Sequence, residues 1–70
     1  VSAKAHNEHA PRLIAEMWTL TRGNVTDLNV LAESLLLGVA MFNFPDDPRK
    51  QALMIQEIAD GAQDHAKAVR

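Results

Sequence analysis

Cysteine and tyrosine are absent from the 70 residues, and one Trp and two Phe are the only aromatic side chains. Without cysteine there is no disulfide framework and no thiolate zinc site. The three glycines stand alone at 23, 38 and 61, so no glycine-rich loop is present to cradle a phosphate. Ser2 and Ser34 are the only serines, and neither lies in a nucleophile elbow. Strand signals are missing as well, because Val, Ile and Thr never alternate with polar residues. Charge of one sign is also lacking. Through Phe44 there are three Lys or Arg against four acids, then four against five, for a net charge of −2. That scatter gives no basic stripe for phosphate contact. The longest stretch free of charge, Ser34 to Pro45, is twelve residues, whereas a membrane-spanning helix needs ~20 predominantly apolar ones. No nucleic-acid or membrane partner is expected. The opening VSAKAHNEHA lacks the charged-then-apolar layout of a secretory signal, which leads to the expectation of a cytoplasmic protein.

What is present is helical pattern with clear punctuation. Gly23-Asn24 and the run Asn43 to Pro48 divide the chain into three segments. The expected fold is all-α: one helical domain over 1–70, an antiparallel three-helix bundle completed as a homodimer, with helices at about 11–22, 27–43 and 48–69. The third is the best marked. Asp46 or Asp47 caps it, Pro48 fits the first helical position, and Lys67 and Arg70 lie at the negative end of its dipole. Ala52, Ile55, Ala59, Ala62, Ala66 and Val69 form a stripe suited to a close helix contact, widened by Met54 and Ile58. Gly61 weakens this helix or marks a close crossing. The middle helix is capped by Thr26 or Asp27. From Leu35 onward it is apolar almost all round. The first carries Leu13, Ile14, Met17, Trp18 and Leu20 and is expected to start near Pro11, with 1–10 frayed. In the alternative, Ser2 caps an earlier helix that contains Pro11, at a cost of about 3 kcal/mol.

This pattern bears on association. A folded chain of 7.7 kDa is expected to expose about 4,300 Å² of roughly 11,200 Å² unfolded, a thin margin for an independent core. Two neighbouring helices cannot cover a middle helix that is apolar all round, so a homo-oligomer, most simply a two-fold dimer, is expected. A heterologous protein could fill the same patch. The expected interface residues are Leu35, Leu36, Val39, Met41, Phe42 and Phe44, with Trp18 as an anchor.

Candidate chemistry is sparse. His6 and His9 are three apart and face the same way on a helix, but the zinc-helix motif places two His four apart around a Glu. Asp60, Asp64 and His65 lie within about one turn, yet one helix supplies too few ligands for a closed site. Glu16, Glu33 and Glu57 fall one per helix without the Glu-x-x-His partner of di-metal bundles. Leu31 to Val39 has a passing likeness to a helix-turn-helix, but the basic recognition helix is missing after Gly38. The expected function is a non-catalytic interaction or assembly module without a cofactor. The rival expectation is a small-molecule or divalent-metal-binding protein that uses the dimer cleft.

Overall fold

The computed structural model describes residues 1–68. They form three helices, α1 (Ala3–Thr21), α2 (Val25–Asn43) and α3 (Pro48–Ala68), with no strand among the described residues. By compactness the chain divides into two units, Val1–Ala32 and Glu33–Arg70, the boundary falling inside α2.

In the first unit α1 begins eight residues before the expected start at Pro11. The alternative reading is the one the structure adopts, and the cap explains it. The Ser2 hydroxyl accepts from the Ala5 N–H at 3.1 Å, and the Ser2 carbonyl accepts from the His6 N–H at 3.0 Å. Ser is among the strongest N-caps, whereas Ala10 ahead of Pro11 offers none. Pro11 is therefore inside the helix, where it removes one backbone donor. At the other end Arg22 (φ 54) and Gly23 (φ 72) are both left-handed. The Arg22 N–H donates to the Thr19 carbonyl at 3.4 Å and the Gly23 N–H to the Trp18 carbonyl at 3.2 Å, closing the last turn. A β-carbon at Gly23 would come within 2.7 Å of the Trp18 ring, so the indole lies directly against this glycine. Thr21 is buried, and its hydroxyl donates to the Met17 carbonyl at 2.8 Å.

The cap of α2 is also earlier than expected. Asn24, rather than Thr26 or Asp27, accepts from the Asp27 N–H through Oδ1 at 3.0 Å. Asn combines strong capping with the freedom to follow a left-handed turn. Leu28 and Leu31 are half-buried in this part of α2.

In the second unit, α2 ends where the residue before Pro45 leaves helical geometry. The Asn43 side-chain amide folds back to donate to the Val39 carbonyl at 2.8 Å. Asp47 caps α3, its Oδ1 accepting from the Lys50 N–H at 3.1 Å, and Pro48 occupies the first helical position. The Gln51 side chain donates to the Phe44 carbonyl at 2.7 Å, which ties the connecting turn to the first turn of α3.

The alanine stripe is not the covered side of α3. Ala52, Ala59, Ala62 and Ala66 are exposed, while Gln51, Met54, Ile55, Ile58, Gly61 and His65 are half-buried. Burying Met54 and Ile58 removes more apolar area from water than burying alanines, so the helix turns toward the larger side chains. Nor does Gly61 mark a close crossing, since a β-carbon there meets nothing within 4 Å. The small residue that is wholly enclosed is Ala40 on α2, with 0% exposure. Val69, the last residue of the expected stripe, and Arg70 lie outside the described residues.

Candidate interaction surface

Ala40 is the one buried apolar residue among those described, and no large side chain is fully buried. The apolar residues are instead spread over the surface.

The second unit holds most of the residues expected at an interface. Leu36 and Phe44 are half-buried within the chain, whereas Leu35, Val39, Met41 and Phe42 are exposed. Phe42 is the extreme case at 90% exposure. Leu35 and Phe42 continue, at helical spacing, the row begun by Leu28 and Leu31. That row is partly buried at Leu28 and Leu31, half exposed at Leu35 and bare at Phe42. Leu37 and Leu53, also at least half exposed, extend the apolar surface beyond the residues named from sequence. Leu53 was hidden from periodicity because it lies off the alanine stripe. In the first unit Trp18 is 62% exposed, held on one side by Gly23.

An open groove of about 280 Å³ lies in the second unit, lined by Asn43, Phe44, Lys50, Leu53, Met54 and Glu57. The Lys50 ammonium stands 5.7 Å from the centre of the Phe44 ring, within cation–π range. The lining thus combines apolar Phe44, Leu53 and Met54 with one charge of each sign.

The metal candidates do not assemble. No three His, Cys, Asp or Glu among the described residues come together in a way that could hold an ion. His6 and His9 lie in the first unit, and Asp60, Asp64 and His65 in the second. Glu16 faces Arg12 at 4.0 Å, an exposed pair one turn apart worth a few tenths of a kcal/mol.

By length and composition α2 also passes as a membrane span. It has 19 residues, a mean hydropathy of 1.5 over its most apolar stretch, and only 6% of that stretch buried. The charge-free run alone did not reveal this, since Asp27 and Glu33 interrupt the apolar sequence. Comparison with known proteins adds no relative: no protein-family model, curated protein or solved structure matches the chain.

Proposed function

We propose that this chain is a non-catalytic helical assembly module that acts by homodimerisation, using the C-terminal half of α2. The exposure of Phe42, 90%, together with that of Leu35, Val39 and Met41 on the same half of α2, carries the reading. A folded protein of this size has ~5–10 kcal/mol of stability to draw on. Each large apolar side chain left in water forgoes roughly 1.5–3 kcal/mol of burial. A second copy covering Leu35, Val39, Met41 and Phe42 recovers that burial with no further component. The antiparallel bundle completed by two chains, and a cytoplasmic setting, belong to the same proposal. A partner helix of another protein would use the same apolar complementarity.

A membrane-spanning α2 is the competing reading, and its length, about 28 Å for 19 residues, favours it. Against it, Glu33 is the ninth of those 19 residues, close to mid-span. A charged side chain at that depth is penalised by about 2.5–3.5 kcal/mol. Light scattering at micromolar concentration tests the proposal, together with co-flotation on phosphatidylcholine vesicles. A mass of twice 7.7 kDa and no flotation are expected. A monodisperse 7.7 kDa species, or capture by the vesicles, overturns it.

A further inference from the structure

A helical protein is held by bonds along each rod and by burial between rods. The first kind is plentiful here. The helices are 19, 19 and 21 residues long, beyond the ~12–15 below which an isolated helix is marginal in water. Ser2, Asn24 and Asp47 cap their N-termini, and every side-chain hydrogen bond named above joins residues at most seven apart. Such bonds form within one stretch of chain and need nothing from a distant one.

The second kind is thin in each unit taken by itself. In the first, Leu13, Ile14, Trp18, Leu20, Val25 and Val30 are all at least 46% exposed. The buried residue there is Thr21, whose hydroxyl bonds within its own helix. In the second, the buried residue is Ala40, while Met54, Ile55 and Ile58 are half-covered. Alanine carries a single methyl, so enclosing it removes little apolar area from water. Fixed packing needs large side chains interlocked in a dry interior. No disulfide compensates, since cysteine is absent.

We infer that the single chain is a molten helical monomer, with its rods formed and its side chains unlocked, and that assembly is the step that fixes the packing. That last step rests on the dimer reading above; the molten character of the single chain does not. The ordering of side chains is deferred to the moment of association. The amount of rigid protein therefore follows the amount assembled, and unassembled chains stay open to proteolysis.

The full chain is followed from roughly 1 to 100 µM by far-UV circular dichroism, thermal melting and binding of anilinonaphthalene sulfonate, with sedimentation giving the mass. The single chain is reached by dilution and, where the dimer persists, by Phe42→Asp and Leu35→Asp. Dissociation is expected to keep most of the far-UV helix signal, to bring a gain of dye binding and to abolish the sigmoidal melt. While assembled, the parent should melt cooperatively, its midpoint rising by roughly 10 °C per hundredfold in concentration.

A monomer that melts cooperatively and leaves the dye unbound overturns the inference; if the parent dimerises at higher concentration, the dimer reading survives. Loss of the far-UV helix signal in both variants overturns it too, because the rods then do not outlast dissociation. A parent that stays at 7.7 kDa, binds the dye and melts gradually at every concentration upholds the molten chain and refutes the dimer.

Discussion

Replacing Gly23 with alanine tests the turn that ends α1. Two separate penalties meet there. An L-residue at φ 72 pays about 1–2 kcal/mol for the left-handed conformation. The reduced freedom of the unfolded chain returns about 0.4–1 kcal/mol of that. The new methyl would also lie 2.7 Å from two carbons of the Trp18 ring, when carbon contacts are optimal at ~3.5–4.0 Å. The ring must retreat by about 1 Å. At 62% exposure it can move into solvent, so this second loss is modest, ~0.5–1 kcal/mol. Gly23→Ala should thus destabilise by about 1–2 kcal/mol, a fall in Tm of roughly 4–16 °C for a domain this small. Urea and thermal unfolding followed by circular dichroism measure it, at one fixed protomer concentration because dimerisation contributes to stability. Trp18 is the only tryptophan, so a change in its emission reports the ring's displacement directly. In a Trp18→Ala background the same substitution should lose only the backbone part, and the difference between backgrounds measures the clash. Unchanged stability together with unchanged emission would refute the placement of the indole on Gly23.

Other substitutions probe the remaining features. Gly61→Ala fills open space on a helix and should stabilise by up to about 1 kcal/mol, read as a higher urea midpoint. Ser2→Ala and Asp47→Ala each remove a cap whose bond is 3.1 Å and should lose ~1 kcal/mol, the first visible as a shorter N-terminal helix by amide exchange. Phe42→Asp, at a side chain 90% exposed, should leave each chain helical but monomeric by light scattering, since a carboxylate is excluded from an apolar contact. Leu36→Asp, at a half-buried position, should lower the helix content as well.

The alanine stripe of α3 shows how a periodic pattern misleads. Spacings of three and four identify a helix face, but not which of two overlapping faces is covered. Ile55 of the stripe and the flanking Met54 and Ile58 are the covered part and the alanines are not, and area decides between them. A similar ambiguity applied to α1. Proline at 11 and serine at 2 both signal a helix start, and the stronger cap prevailed over the penalty of an internal proline.

The three helices and both breaks between them were legible in the residues alone, because caps, prolines and left-handed turn residues act over three or four positions. So was the greasy character of α2 beyond Leu35, which needs only composition around a helical circumference. The extent of burial was not legible, since it depends on which elements meet. Only the tertiary structure shows that Ala40 alone among the apolar residues described is enclosed. It alone, too, shows that Phe42 stays bare and Leu35 half exposed while Leu28 and Leu31 on the same row are more covered. Local bonding fixes each rod; what covers a rod is set by contacts between distant parts of the chain, which no short stretch of sequence encodes.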